Sequence, residues 1–197
     1  MVVQAVRRLA LHFAAALLVT LVGCQPSSQS FNSVDITGAN YARDFALTDH
    51  QGRKRTLADF RGKVVLVFFG YTQCPDVCPT TMADMAQVKA KLGSAGDKLQ
   101  VLFVSVDPER DTQSVLAQYV PRFDSSFVGL YGTPEETART AKEFKVIYVK
   151  VPGKTPTSYT IDHTAGSYVF DSQGRLRLFV KHSQSIDAIA ADIKRLM

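Results

Sequence analysis

The amino-acid sequence predicts a single α/β domain built around a central mixed sheet flanked by helices. Residues 64–69 are apolar at every position and residues 99–106 at most positions, which is typical of strands covered on both faces. A segment with helical character follows each of these two runs. The length of 197 residues suits one domain of ordinary size, and a composition of 46% hydrophobic and 21% charged residues excludes a fibrous or disordered chain.

The first 23 residues are typical of the signal peptide of an exported protein. The segment Leu9–Val22 is apolar apart from His12 and Thr20, but it is shorter than the roughly 20 residues of a membrane-spanning helix. Gly23 before Cys24 resembles the lipobox of bacterial lipoproteins, in which the cysteine is lipidated and becomes the first mature residue. An uncleaved N-terminal anchor is the alternative. Either way we expect an extracytoplasmic domain, on the periplasmic side, held at a membrane.

Charge and composition also indicate how the chain is organised. The net charge of +5 falls by two, to +3, when the signal peptide with its two arginines is removed, and this is too little to indicate nucleic-acid binding. Residues 24–40 begin with Cys24 and are rich in Ser, Gln, Asn and Gly, which predicts a flexible spacer between the lipid and the domain. We therefore expect the folded domain to occupy residues 41–197.

The first elements of this domain lie before the cysteines. A short hairpin is predicted from Phe45–Leu47 and Arg55–Leu57, which turns at Asp49–Gly52. The strand Val64–Phe69 belongs in the centre of the sheet because both of its faces are apolar. A helix follows the cysteines and ends near Leu92.

The second half of the domain continues the alternation. After the strand at Leu99–Val106 we predict a helix from Asp111 to about Tyr119. The run Thr133-Pro-Glu-Glu136 opens a third helix with an N-cap, a proline at the first helical position and a capping box. A strand near Val146–Val151 and a loop precede the closing elements. These are the strands Ala165–Phe170 and Leu176–Val180 and a helix with Ile186, Ile189, Ala190, Ile193 and Met197 on one face. This order is the thioredoxin arrangement with an additional N-terminal hairpin.

The segment Cys74-Pro-Asp-Val-Cys78 lies between the central strand and the following helix. The helix N-terminus supplies unpaired N–H groups and partial positive charge, which favour thiolate and lower a cysteine pKa. The spacing puts Cys78 in the first helical turn and Cys74 on the loop before it, so both sulfurs can face one point. A structural disulfide, a redox dithiol and a metal site all remain open. As a metal site, two thiolates favour Cu(I), although Cu(II) and Zn(II) also bind sulfur and imidazole.

A third ligand would favour the metal site over the dithiol. His163 precedes the first strand of the closing hairpin, in a loop that faces the cysteines in the thioredoxin arrangement. Thiol oxidoreductases of this fold carry a cis-proline there, whereas the run Asp162-His163-Thr164 has none. Asp162 or a backbone carbonyl is expected to fix the ring tautomer. The other candidates, His50 in a turn and His182 at a polar strand end, are expected to be solvated.

Three motifs in this order resemble those of the Sco/SenC family of copper chaperones. They are Cys74-Pro-Asp-Val-Cys78-Pro, Ser105-Val-Asp-Pro-Glu-Arg-Asp-Thr112 and Asp162-His163-Thr164. The resemblance extends from about Phe45 to the C-terminus. It implies a thioredoxin-like fold and a site that binds Cu(I) or Cu(II) through Cys74, Cys78 and His163. It also implies a role in assembling the binuclear copper centre of cytochrome c oxidase, with the copper-centre subunit of the oxidase and other copper-handling proteins as partners.

Other activities fit the same cysteines. A metallochaperone is favoured over an enzyme that turns over substrate, and the alternative is an extracytoplasmic thiol-disulfide oxidoreductase. In that enzyme Cys74 would be the exposed nucleophile and Cys78 the resolving thiol, and the two would form a redox disulfide. A thioredoxin-like peroxidase would need an activating arginine beside the thiolate.

Two further sets of residues near the cysteines are expected to be structural. In the run Asp107-Pro-Glu-Arg-Asp111, Asp111 is expected to cap a helix and Arg110 to pair with a carboxylate, although a role in partner docking or metal tuning is the alternative. Met82 and Met85 share the helical face of Cys78 and are expected to be core residues, although thioethers can bind Cu(I).

Overall fold

The structure is a computed structural model that describes residues 30–155 and 158–197. The predicted signal peptide, the lipidation at Cys24 and the first part of the predicted spacer lie outside the described residues. Within the described ranges no helix is long and apolar enough to span a membrane.

In the described part of the chain, ten strands form one large sheet and one separate ribbon. The large sheet contains β1 (Val34–Asp35), β2 (Leu47–Asp49), β3 (Lys54–Arg55), β4 (Val64–Gly70), β5 (Leu99–Ser105), β6 (Val128–Tyr131), β9 (Ser167–Phe170) and β10 (Leu176–Val180). The ribbon contains β7 (Tyr148–Pro152) and β8 (Tyr159–His163). The strand order of the large sheet is β1-β10-β9-β4-β5-β6-β2-β3. Because β4, β5 and β6 are parallel and the other neighbours antiparallel, the sheet is mixed, as the sequence predicts.

The two central strands are buried along their whole length. Every residue of β4 and of β5 is buried, and the strands run in register from the pair Val64 and Leu99 to the pair Gly70 and Ser105. Strands covered on both faces need apolar side chains throughout, which explains the continuous apolar runs in the sequence. The C-terminal ends of both strands therefore reach the same edge of the sheet.

Within residues 30–155 and 158–197, four α-helices accompany the sheet: α1 (Val77–Lys91), α2 (Gln113–Tyr119), α3 (Pro134–Glu143) and α4 (Ile186–Arg195). Helices α1 and α4 pack against each other, and α2 packs beside β6. The predicted capping box at the start of α3 is confirmed: the Thr133 amide donates to the Glu136 carboxylate at 2.9 Å, and the Glu136 amide donates to the Thr133 hydroxyl at 3.2 Å. The mixed sheet and its flanking helices confirm the α/β, thioredoxin-like fold class predicted from the sequence.

The ordered domain begins earlier than residue 41. Val34 and Asp35 pair with Phe179 and Leu178 of β10, and Phe31 packs against the core. The compact unit accordingly extends from Phe31 to Met197. The polar composition of residues 24–40 predicts a spacer throughout. Composition does not reveal strand β1, because backbone pairing to the edge of a sheet needs few apolar side chains.

Besides β1, two further strands are absent from the elements predicted from the sequence. The short strand β6 pairs with both β5 and β2, and in this way joins the predicted N-terminal hairpin to the main sheet. Strand β8 (Tyr159–His163) lies in the second half of the region predicted as a loop before the closing hairpin, and it pairs along its length with β7. This second difference matters for function, because β8 ends at His163.

Candidate metal centre

The two cysteines lie at the junction of β4 and α1. Strand β4 ends at Gly70, α1 begins at Val77, and the loop between them carries Cys74. Cys78 is in the first turn of α1 and is completely buried, whereas Cys74 is partly exposed. The Cys78 amide donates to the Cys74 sulfur at 3.4 Å, so an N–H group at the start of a helix points at that sulfur. Both residues are thiols in this structure.

His163 reaches the cysteines from the ribbon. Its Nε2 lies 3.4 Å from the sulfur of Cys78, and its Nδ1 lies 3.0 Å from the backbone carbonyl of Thr164. When Nδ1 carries the proton and donates to this carbonyl, the lone pair of Nε2 faces the sulfurs. A backbone carbonyl, one of the two groups expected from the sequence, therefore orients the ring. The rings of Phe68 and Tyr71 pack against it edge-on.

The ligand-type atoms of Cys74, Cys78 and His163 all lie within 4.8 Å of one another. Among the residues that the structure describes, no other group of three or more such side chains is this close. Two sulfurs and one imidazole nitrogen form a donor set suited to copper, because soft thiolates and imidazole both bind it well. The arrangement of the residues present thus fits a copper ion.

Burial shifts the pKa values of two of these groups. It raises the pKa of the Cys78 thiol well above its usual range, and the neighbouring Cys74 sulfur raises it further. The sequence-based expectation of a lowered cysteine pKa is therefore wrong for Cys78, since burial is the largest influence on that pKa and acts in the opposite direction. Burial also lowers the pKa of His163, which keeps the imidazole neutral and able to bind a metal.

Arg110 connects the cysteine loop to the ribbon. Its Nη1 donates to the Gln73 side-chain oxygen and to the Tyr159 backbone carbonyl, both at 3.0 Å. The guanidinium group also pairs with buried Asp107 and stacks 3.5 Å from the centroid of the Tyr159 ring. The Tyr159 hydroxyl donates to the second carboxylate oxygen of Asp107 at 2.7 Å. The expected pairing of Arg110 with a carboxylate is confirmed, and the same side chain fixes the two segments that carry the candidate ligands.

Asp111 ties the cysteine loop to β5. Its buried carboxylate accepts hydrogen bonds from the Thr72 hydroxyl at 2.6 Å, the Thr72 amide at 3.2 Å and the Ser105 hydroxyl at 2.7 Å. Burial raises the pKa of Asp111 in spite of these bonds. The prediction that Asp111 caps a helix is wrong, because Thr112 is the N-cap of α2 and its hydroxyl accepts from the Val115 amide.

The remaining candidates lie outside this cluster. His50 accepts a hydrogen bond from the Gly129 amide at 2.9 Å, and His182 lies 3.2 Å from the Thr81 hydroxyl. Both rings are half-buried and hydrogen-bonded to the protein, so they are less solvated than the sequence suggests. Met82 and Met85 are buried in the hydrophobic core, as predicted.

Sequence reasoning did not identify the ribbon as the element that carries His163. The run Tyr159-Thr-Ile-Asp-His163 contains the signal, because Ile161 is buried between exposed Thr160 and Asp162. This alternation is typical of a half-buried strand. The contacts of Arg110 with this strand join residues 49 positions apart and have no local signal.

Fold and site together define a thioredoxin-like protein with two cysteines and a histidine gathered at one edge of its central sheet. The family model described as SCO1/SenC matches residues 34–197. The chain belongs to the SCO1/SenC family.

Curated relatives support this membership. The mitochondrial protein SCO2 homolog of Mus musculus is 37% identical over 154 residues, which is 77% of this chain and 60% of that protein. The mitochondrial protein SCO1 homolog of Homo sapiens is 38% identical over 151 residues, which is 76% of this chain and 50% of that protein. The chain therefore spans only half to three fifths of the length of these relatives.

Solved structures of similar proteins share the fold. ScoI of Bradyrhizobium japonicum with copper bound is 41% identical and superposes with a TM-score of 0.72, covering 78% of this chain and 98% of that one. The apo Sco1 protein of Thermus thermophilus is 40% identical with a TM-score of 0.76, covering 87% of this chain and 99% of that one.

Proposed function

We propose that this protein binds copper through Cys74, Cys78 and His163 and acts as an assembly factor for the binuclear copper centre of cytochrome c oxidase. The observation that carries the proposal is the convergence of two sulfurs and one imidazole nitrogen within 4.8 Å. Membership of the SCO1/SenC family and a copper-bound structure of a 41% identical relative support copper as the metal. Copper, when bound, is the ion that the protein supplies to its recipient.

The residues of the chain have distinct tasks in this function. The Thr164 carbonyl holds the His163 ring with Nε2 toward the sulfurs. Cys78 is completely buried and loses its proton on metal binding, because the thiolate is the ligand form. Since burial raises the pKa of Cys78, copper affinity should increase with pH. Cys74 is partly exposed and is the sulfur that a recipient can reach.

Metal binding is tested by anaerobic competition with a Cu(I) chelator. We expect one tightly bound copper per protein, its loss in Cys74→Ser, and an altered Cu(II) spectrum with weaker binding in His163→Ala. His182→Ala is the matched control, because His182 is also a half-buried histidine but lies outside the cluster. If His163→Ala bound Cu(I) and Cu(II) as the control does, with the same Cu(II) spectrum, the ligand assignment would be wrong.

A second candidate function is thiol-disulfide exchange. The exposure difference favours it, since a partly exposed Cys74 beside a buried Cys78 suits an attacking and a resolving thiol. The two cysteines would be oxidised to a disulfide while a partner disulfide is reduced to two thiols. Rapid metal-free reduction of a protein disulfide, at a rate unaffected by His163→Ala, would establish this activity. A rate that depends on bound copper would favour the first proposal.

We further propose that Cys24 is lipidated and holds the domain on the periplasmic side of a membrane. Gly23 followed by Cys24 after an apolar run is the supporting feature. Mass spectrometry of the expressed full chain should show a mature protein that begins at Cys24 and carries the mass of the lipid, and Cys24→Ser should lose that mass and retain residues 1–23. A wild-type protein that retains residues 1–23 without lipid would instead indicate an uncleaved N-terminal anchor.

A further inference from the structure

The ribbon presents an apolar face to solvent. Ile147, Val149 and Val151 are 73%, 55% and 38% exposed and make up three of the five exposed large hydrophobic residues in the described part of the chain. Their alternate positions put all three side chains on one face. The ribbon is fixed there, because the Ile147 amide donates to the Thr164 hydroxyl at 3.1 Å and the Thr164 amide to the Ile147 carbonyl at 2.9 Å. A fixed apolar patch of this kind indicates an interaction surface.

The opposite face of the ribbon is occupied by the protein itself. Tyr148 packs against the hydrophobic core, and Lys150 lies 4.7 Å from the centroid of the Tyr159 ring. Lys150 also forms an ion pair with Glu109 at 2.6 Å. These contacts hold the ribbon in one orientation, with the apolar face turned outward.

This apolar face is continuous with the opening to the candidate metal centre. Val149 pairs with Asp162 and Val151 with Thr160 across the ribbon. Asp162 and Thr160 also line a cavity of about 370 Å³ whose lining includes Cys74, Pro75 and Val77. Because Cys78 is completely buried, a macromolecule that exchanges metal or thiols with this site must approach Cys74. Such a molecule would cover the apolar face of the ribbon.

The cavity also has a charge preference. Its lining contains the exposed carboxylates of Asp76 and Asp162 and no lysine or arginine. Within the described ranges the Asp162 carboxylate forms no ion pair with a lysine or arginine. An approaching surface with a basic side chain beside apolar residues would therefore match this opening.

We propose that the face formed by Ile147, Val149 and Val151 is the docking surface for a thiol-bearing recipient protein that carries an apolar patch and a basic side chain. The inference rests on the proposed function, because it assigns a partner surface to the same site. A protein is favoured over a lipid bilayer, because the carboxylates that border the face would be costly to bury among acyl chains.

The test measures docking and copper binding separately. The probe is the purified, metal-free, reduced soluble domain of a cytochrome c oxidase subunit that carries the binuclear copper site. Val149→Ser should weaken the binding of this oxidase domain to the protein about tenfold, as expected for loss of an interface anchor. At low recipient concentration it should also slow copper transfer by the same factor. Transfer at saturating recipient and copper affinity should not change.

Val34→Ser is the matched control. Val34 is also a valine on a short edge strand, is 42% exposed and lies on β1, away from the ribbon. Val149→Thr, which keeps the branched shape and replaces one methyl group by a hydroxyl group, serves as the second variant if the serine variant unfolds. Binding should also weaken with added salt, because charge complementarity contributes to it.

The possible outcomes are distinguishable. Equal binding by the Val149 and Val34 variants, or no saturable binding by the wild-type protein, would overturn the docking proposal while the measured copper affinity leaves the metal site intact. Binding to vesicles of anionic phospholipid that is lost in Val149→Ser would also overturn it, in favour of a membrane surface. Absence of copper binding in the wild-type protein would instead overturn the proposed function.

Discussion

Gly70, the last residue of β4, packs directly against the candidate ligand Cys78. A methyl group added there would lie 2.9 Å from Phe68 Cε1, 3.0 Å from the Cys78 sulfur and 3.0 Å from Phe103 Cε2. The two phenylalanine rings and the sulfur are all completely buried, so none can move into solvent. We therefore expect Gly70→Ala to displace the sulfur by several tenths of an ångström and to destabilise the fold by about 1–3 kcal/mol, the usual cost of overpacking a core.

The displacement should also weaken copper binding, because the position of one candidate ligand changes relative to the other two. We expect about a tenfold loss of Cu(I) affinity, which corresponds to about 1.4 kcal/mol. Urea unfolding of the metal-free protein, followed by circular dichroism, measures the stability, and anaerobic competition with a Cu(I) chelator measures the affinity.

Gly174→Ala separates the effect on the site from a general loss of stability. Gly174 has φ +78°, and an added methyl group would meet no atom within 4 Å. Its replacement should therefore cost about 1 kcal/mol through backbone strain alone, in the turn between β9 and β10. Copper affinity should be unchanged in Gly174→Ala and reduced in Gly70→Ala. If the two variants had the same copper affinity, the argument that close packing at Gly70 positions Cys78 would be refuted.

Three further predictions concern the polar groups. Arg110→Ala should broaden the Cu(II) electron paramagnetic resonance spectrum and lower copper affinity about tenfold, because it disconnects the cysteine loop from the ribbon. Arg110→Lys should have nearly the same copper affinity as Arg110→Ala, since lysine lacks the planar guanidinium group that makes both hydrogen bonds. An unaltered spectrum would contradict this. Asp111→Ala should lower the free energy of unfolding, measured with urea, by about 2 kcal/mol, because it leaves buried hydroxyl donors unpaired. A decrease below about 0.5 kcal/mol would contradict this and show that water replaces the carboxylate. Burial alone would raise the pKa of Asp49, but hydrogen bonds from the Arg53 amide and from the Arg55 and Arg53 side chains lower it to about 2. Because the pKa of Asp49 is lower in the folded protein than its ordinary value of 3.8, the ionised carboxylate stabilises the fold by about 2 kcal/mol at pH values above 3.8. This stabilisation is lost as the pH falls from about 4 toward 2. Asp49→Asn should flatten the stability profile in that window, and an equally steep profile in the variant would refute the assignment.

Features that depend on local chemistry could be predicted from the sequence. The apolar runs of β4 and β5 predict buried strands because strands covered on both faces have no polar side. The run that opens α3 predicts its own cap because both partners lie within four residues. Likewise, the four-residue spacing of Cys74 and Cys78 is sufficient to bring both sulfurs to one helix N-terminus.

Features that depend on distant residues were not predictable in this way. The prediction of His163 depends on its place in the thioredoxin arrangement and on a family resemblance, whereas the ribbon that carries it sets its Nε2 3.4 Å from the Cys78 sulfur. The polar network of Arg110 and the pairing of β1 with β10 likewise connect segments far apart in the chain.

The Cys74/Cys78 pair illustrates the division most clearly. Residue spacing alone places two thiols at the end of a central strand and at the start of a helix. Which thiol is buried and which is accessible depends on the packing of the whole domain, and the same packing raises the pKa of Cys78 and lowers that of His163. Spacing cannot reveal this, because burial is produced by segments far apart in the chain and the loss of water disfavours both the thiolate and the imidazolium.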